Sequence, residues 1–194
     1  MNNFISIPTD NGIEDEARKW HEEHGFVTRV DGIRVGNERE QFVGTVGEIG
    51  CCEFFGVPWP KLSDPLDYGY DFVYAMLCVD AKTAARHVPP HPNYVHTVYK
   101  RQYDKLSADA YVFLTFIEGL HRLVLCGWLY HEEVRERGLF FAAGSKVVND
   151  SGHEIVYETD RWQIEYRNMR PVHDLKMLDE YKDRDGGEDE AGVV

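Results

Sequence analysis

Two aspartates and a lysine are spaced so that a β-hairpin would bring them together. The run Asp71-Phe72-Val73-Tyr74-Ala75-Met76-Leu77-Cys78-Val79-Asp80-Ala81-Lys82 reads as two strands, Tyr70–Ala75 and Leu77–Ala84, joined by a tight turn. With Ala75-Met76 as a two-residue turn, Tyr74 pairs with Leu77 and Asp71 with Asp80. Residues directly opposite share a face of the sheet, and Lys82 joins Asp80 because strand side chains alternate. Any even loop length preserves this parity. Ala-Met is poor chemistry for a tight hairpin, so a longer or irregular loop stays open.

Two carboxylates this close repel unless a divalent cation or the lysine compensates. Hard oxygen donors with open positions suit Mg²⁺ or Mn²⁺. Such an ion polarises a phosphoryl oxygen and acidifies a bound water, and a nearby ammonium orients that water or stabilises developing phosphorane charge. The plainer reading makes both aspartates strand-end surface residues and Lys82 a salt-bridge partner. On spacing alone the plainer reading is the stronger.

Two further observations shift the balance. Asp80 follows the apolar run Met76-Leu77-Cys78-Val79, where a charged pair needs a reason to sit. Glu48 lies among Val46, Gly47, Ile49 and Gly50, inside a helix expected over Glu40–Phe55 that ends at Gly56 and the breaker Val57-Pro58-Trp59-Pro60. Gly44, Gly47 and Gly50 each cost that helix about 1 kcal/mol relative to Ala. At three-residue spacing they make a stripe that permits close approach to a sheet. If they pack so, Glu48 projects into the same patch as a third acid.

At this point the residues resemble the PD-(D/E)xK nuclease superfamily, whose signature is a helix glutamate, an aspartate opening one strand and a (D/E)xK triplet on the next. Gly47-Glu48, Asp71 and Asp80-Ala81-Lys82 follow that order. Cys126-Gly127-Trp128-Leu129-Tyr130-His131-Glu132-Glu133-Val134 also resembles the strand, Gly-Trp and short helix of small phage and prokaryotic members. The likeness covers roughly residues 40–137, about half the chain. It implies Glu48, Asp71 and Asp80 as acidic ligands, the Ala81 carbonyl as a further metal ligand and Lys82 as the catalytic lysine. Tyr70 stands where the signature has proline, the acid-to-acid spacing is short, and the Gln-x-x-x-Tyr element of the recombination-type branch is missing.

The remaining elements must hold that constellation. Ile13–His24 reads as an amphipathic helix with acids in its first turn and a stop at Gly25. Phe26–Val30 reads as a short strand. Tyr111–Ile117 and Arg122–Leu129 are rich in β-branched and aromatic residues and read as strands, with a short helix at His131–Arg137 after them. Strand-like pieces at Glu154–Glu158 and Trp162–Tyr166 and a last helix at Asp174–Tyr181 complete the order. The expected class is α/β (mixed α+β), a restriction-endonuclease-like core with a central mixed sheet flanked by helices. It forms a single domain over residues 1–178, with an acidic tail at 179–194.

The chain has 194 residues and a formal net charge of −13. The composition is that of a globular protein and excludes collagen-like, coiled-coil and wholly disordered classes. It also excludes a protein that coats nucleic acid, because the global field repels phosphate. Five units of that charge lie between Asp179 and Glu190, with Gly186 and Gly187 and little apolar content, so the tail reads as disordered. It also offers a surface to a protein partner. The best phosphate-contacting surface is Tyr99-Lys100-Arg101-Gln102-Tyr103 with Lys105 and Arg86, a basic cluster interleaved with aromatics; a solvated basic face is an equally good reading of the same residues.

Other candidates fall away. His21-Glu22-Glu23-His24 is one residue short of HExxH and reads as an exposed helix face. His87, His91 and His96 read as loop polarity. Cys51, Cys52, Cys78 and Cys126 sit in apolar runs without CxxC spacing and read as reduced core cysteines. With no secretory signal and no membrane-length apolar run, the expected location is the cytoplasm, the host's if the chain is phage-encoded.

The expectation is a Mg²⁺- or Mn²⁺-dependent deoxyribonuclease hydrolysing phosphodiester bonds in DNA. The alternative is a non-catalytic acidic interaction protein on the same scaffold, binding a basic protein or mimicking DNA. A homo-oligomer, strandedness and endo- versus exonuclease action stay open.

Overall fold

The computed structural model describes residues 4–26, 29–30, 33–34, 36–59, 69–148 and 152–185. In chain order the first half holds β1 (Ile5–Pro8), α1 (Ile13–His24), β2 (Arg29–Val30), β3 (Ile33–Arg34), α2 (Glu38–Phe55), β4 (Phe72–Tyr74), β5 (Leu77–Arg86), β6 (Val95–Tyr99) and the single turn α3 (Lys100–Tyr103). The second half holds β7 (Ala110–Ile117), β8 (Arg122–Tyr130), α4 (Glu133–Arg137), β9 (Leu139–Phe141), β10 (Lys146–Val148), β11 (Glu154–Val156), β12 (Arg161–Glu165) and α5 (Val172–Asp185).

β7 explains the layering. It is buried at all eight positions, so both of its faces need cover, as for any continuously apolar strand. It lies at the centre of a mixed sheet of order β1-β8-β7-β5-β4, parallel to β5 and antiparallel to β8. Val112 and Leu114 share one core cluster with Ile13 and Ala17 of α1, Val46 and Ile49 of α2, and Leu175 of α5. Tyr111 and Phe113 point the other way, into a cluster with Val98, Val134, Trp162 and Ile164. The second cover is a three-stranded sheet of order β6-β12-β9. The molecule is therefore helices, central sheet and small sheet, a mixed α/β architecture with a mixed central sheet flanked by helices.

Local chemistry sets the helix ends. Asn37 caps α2 by accepting the Glu40 N–H at 2.9 Å, while the Glu40 carboxylate accepts the Asn37 N–H at 2.8 Å. This reciprocal pair starts the helix two residues before the expected Glu40. Gly56, with φ 70°, ends it. The helix α1 spans the expected residues. The backbone of α5 runs to Asp185, past Tyr181 and into the acidic stretch expected to be disordered; residues 186–194 lie outside the described residues.

Several pieces differ from expectation. β1, β6, β9, β10 and α3 were not anticipated; β1 pairs across a long separation with β8, Ile5 opposite Leu125. His21 is buried, not on an exposed face, with Nε2 3.0 Å from Thr45 Oγ1 and its ring stacked on Phe26. His96 belongs to β6 and is buried between Phe113 and Tyr166 rather than lying in a polar loop. All four cysteines are free, and three are buried. Among the described residues no helix is long and apolar enough to cross a membrane.

Candidate active site

The β4–β5 hairpin has the register that places the acids together. Tyr74 faces Leu77 and Phe72 faces Val79, so the turn is the two residues Ala75 and Met76. Both adopt left-handed backbone, φ 48° and 62°, the conformation that matches the twist of a two-residue hairpin. Neither side chain favours it, which is why the turn was hard to credit from the residues themselves.

Asp71 immediately precedes β4, beyond the last paired residues of the β4–β5 ladder, Phe72 and Val79. Its N–H donates to the Val79 carbonyl at 2.8 Å, and its Oδ2 accepts the Ala81 N–H at 2.6 Å. The carboxylate thus takes the place of the strand that β4 fails to continue. In extended backbone the N–H and C=O of one residue point to the same side, so the Ala81 carbonyl faces this same edge. Lys82 Nζ lies 2.6 Å from Asp80 Oδ2, and the two side chains are only 17% and 12% exposed.

Glu48 lies on α2, in the helix layer packed against the central sheet. Gly47 packs α2 against β5 so closely that a Cβ there would fall 1.7 Å from Thr83 Oγ1, and Gly50 meets Leu123 in the same way. A Cβ at Gly44 would meet only the Glu48 carboxylate, at an ordinary contact distance of 3.9 Å. Two of the three stripe glycines therefore serve the close approach.

The electrostatics ties the four side chains together. Burial, then the like charges of Glu48 and Asp80, push the Asp71 carboxyl well above the usual carboxylate range, against the pull of Lys82 and the Ala81 N–H. Burial alone would depress Lys82, but Asp80, Asp71 and Glu48 outweigh it and raise its pKa. Burial raises Cys52 to about 12, with Asp71 and Glu48 adding to the shift. Glu48, Asp71, Asp80 and Lys82 thus share one electrostatic neighbourhood at the edge of β5.

Under Asp80 lies a layer that reading the sequence missed. Tyr111 is the β7 residue opposite Asp80 and is almost wholly buried. Its hydroxyl lies 3.2 Å from His131 Nδ1, and the His131 ring stacks on Tyr103 at 3.9 Å. Burial raises the Tyr111 hydroxyl, with Asp80 and Tyr103 adding to it. Only the parallel pairing of β5 with β7 brings Tyr111 here, and no local pattern announces that pairing.

The proposed phosphate-contacting cations are dispersed. Arg86 is half-buried, donating to the Val95 carbonyl at 2.9 Å and to Tyr166 Oη at 3.3 Å, with its guanidinium 4.7 Å from the Tyr94 ring. Lys100 pairs with Asp104, and Lys100, Arg101, Asp104, Thr159 and Asp160 line a shallow open depression. Lys105 is exposed. Its stem approaches Gly69, whose carbonyl accepts the Ser107 hydroxyl at 3.1 Å, two residues before Asp71.

No protein family matches the chain, and neither a curated protein nor a solved structure does.

The donor chemistry fits a hard divalent cation. Three carboxylates against one ammonium leave surplus negative charge, which adds to burial in raising the Asp71 carboxyl. The side chains are not set as a cage, however: among the described residues no three His, Cys, Asp or Glu stand in position to hold a metal ion. Asp71 is turned to Ala81 and Asp80 to Lys82.

Proposed function

We propose that the chain is a metal-dependent nuclease of the PD-(D/E)xK type, with a restriction-endonuclease-like core, hydrolysing phosphodiester bonds in DNA in the cytoplasm. The observation that carries this reading is the shared neighbourhood of Glu48, Asp71, Asp80 and Lys82 where β4 ends and the β5 edge opens. Asp71, Asp80 and the Ala81 carbonyl would hold Mg²⁺ or Mn²⁺, with Glu48 in support. The bound ion supplies Lewis acidity toward the phosphoryl oxygen and an acidified water.

The chain's own groups do the rest. Lys82 donates to the attacking water or to a developing phosphorane oxygen. Tyr111 stands beside Asp80 on the neighbouring strand, with its hydroxyl directed to His131. Lys100, Arg101 and Lys105 contact backbone phosphates, giving binding that weakens as salt rises.

The test is cleavage of labelled DNA by the purified protein with Mg²⁺ or Mn²⁺, beside Lys82→Ala and Asp80→Asn. Cleavage is expected from the parent and lost in both variants; undiminished cleavage in both sinks the assignment. One observation favours the second reading, a non-catalytic acidic protein: Asp80 and Lys82 already satisfy each other. That reading predicts no metal binding at Asp71 and Asp80, and salt-sensitive binding to a basic protein.

A further inference from the structure

We propose that the outer face of the small sheet β6-β12-β9 binds single-stranded DNA, with Arg101 and Arg161 on its phosphates and Leu139 under a base. The inference rests on the nuclease reading only for naming the ligand a nucleic acid; binding here requires no metal and no cleavage. Trp162 and Ile164 of β12 face the core, so alternation puts Arg161 and Gln163 on the opposite face. Directly opposite residues share that face. Tyr99, Arg161 and Phe141 therefore form one row across the three strands, and Thr97, Gln163 and Leu139 the next.

The first row is a ladder of alternating guanidiniums and rings. Arg101 lies 5.8 Å from the centre of the Tyr99 ring, and Arg161 lies 5.0 Å from it. Arg161 is also 4.3 Å from the Tyr157 ring, which meets Phe141 edge-on at 5.4 Å. Rings packed on guanidinium planes fix where the N–H edges point while leaving those donors available. Arg161 donates from Nε to the Thr159 carbonyl and from Nη2 to the Thr159 hydroxyl, which leaves Nη1. The nearby carboxylates are engaged elsewhere: Asp104 with Lys100, and Asp160 Oδ1 with the Ala143 N–H at 2.8 Å. Among the described residues neither Arg101 nor Arg161 has a carboxylate partner. Two preset guanidiniums without counter-ions suit phosphate. The net charge of −13 opposes polyanions in general, so such contacts depend on this local arrangement.

The rest of the face selects a single strand. Leu139 is 67% exposed on the far strand, and Phe140 at the same edge is 49% exposed. β6 and β9 lie about 10 Å apart across β12, on the scale of one nucleotide. A strand with phosphates on the cationic side can lay an unstacked base on the apolar edge, with Thr97 and Gln163 between the two. A duplex keeps its bases inside and offers that edge nothing.

Anisotropy of a labelled oligothymidylate, measured with the full chain in EDTA, reads binding apart from hydrolysis. The parent should bind it more tightly than a duplex of the same length. Arg101→Gln and Arg161→Gln should each weaken binding and lower the slope of log K against log salt by about 0.7. Arg18→Gln removes the same charge from α1 in the opposite layer and should leave both as in the parent. Leu139→Ser should weaken binding at an unchanged slope. Thermal melting verifies each fold, and because Arg101 is exposed its variant reads the site even if Arg161→Gln unfolds. Duplex bound as tightly as the single strand, equal loss in all three arginine variants, or parent affinity in Arg101→Gln or Leu139→Ser overturns the inference. Binding of neither DNA also overturns it, while cleavage with Mg²⁺ still decides the nuclease reading. Strand binding by a parent that never cleaves would sink the nuclease reading and leave the inference standing.

Discussion

Replacing Gly47 by alanine should destabilise the protein, while the same change at Gly44, one helical turn away, should stabilise it. A Cβ at Gly47 would lie 1.7 Å from Thr83 Oγ1 and 2.7 Å from Thr83 Cβ. Rotating the threonine removes the first clash but not the second, because Cβ is fixed to the strand backbone. Restoring ordinary carbon–carbon contact near 3.5–4.0 Å therefore requires α2 to move off β5 by about 1 Å. Such overpacking costs about 1–3 kcal/mol, against about 1 kcal/mol gained from helix propensity. At Gly44 the nearest atom to a new Cβ is Glu48 Oε1 at 3.9 Å, so only the gain remains. The two variants should differ by roughly 1–3 kcal/mol, or several degrees in Tm for a chain of this size. Thermal melts and urea titrations of the full chain measure this. Adding Thr83→Ala to Gly47→Ala should recover part of the loss, since it removes Oγ1 and Cγ2 but leaves Cβ. A Gly47→Ala protein as stable as Gly44→Ala would refute the packing argument, and with it the account of how Glu48 is held against the sheet.

Two other perturbations follow from the same structure. Ala75→Asn with Met76→Gly should stabilise by about 1–2 kcal/mol, because two L residues in left-handed backbone carry a strain that Asn-Gly avoids; a lower melting temperature would show that the turn is held by its side chains. His96 should make stability acid-sensitive. Burial, helped by Arg86, lowers its folded pKa to about 3 from 6.5, so between those values the unfolded chain binds the proton and the folded chain does not. Stability then rises with pH through that window and falls on acidification below 6.5. His96→Phe should flatten the slope of unfolding free energy against pH there, and an unchanged slope would assign the sensitivity to other groups.

Short-range periodicity made much of the candidate site legible. Asp71, Asp80 and Lys82 are related through one hairpin, and a two-residue turn with alternating side chains sets their parity whatever the rest of the chain does. Glu48 was legible for a different reason: glycines are costly inside a helix, so Gly47 and Gly50 signalled a contact stronger than propensity. The local signals for α1, β7 and β8 are equally direct: Ile13, Ala17 and Trp20 fall at helical spacing, and the two strands are rich in β-branched and aromatic residues. Gly44 shares the stripe yet has room for a methyl group beside Glu48, a distinction that periodicity alone does not make.

Other features depended on partners far away in the chain. β1 and β6 are short and carry weak patterns, and each is a strand because β8 or β12 supplies its hydrogen bonds. Arg86 reads as a surface cation until Tyr94, Tyr166 and the Val95 carbonyl surround it. Tyr111 lies beside Asp80 only because β5 and β7 pair in parallel, which needs an intervening crossover rather than a turn. The sequence by itself determined that Asp80 and Lys82 share a face, because alternation along a strand is a property of the backbone. Tertiary structure alone decided that Lys82 closes on Asp80, that Asp71 turns to the Ala81 N–H and that Glu48 lies within electrostatic reach of Asp71 and Lys82. Those outcomes depend on where β4 stops and how closely α2 lies on β5, and both are settled by packing between distant segments.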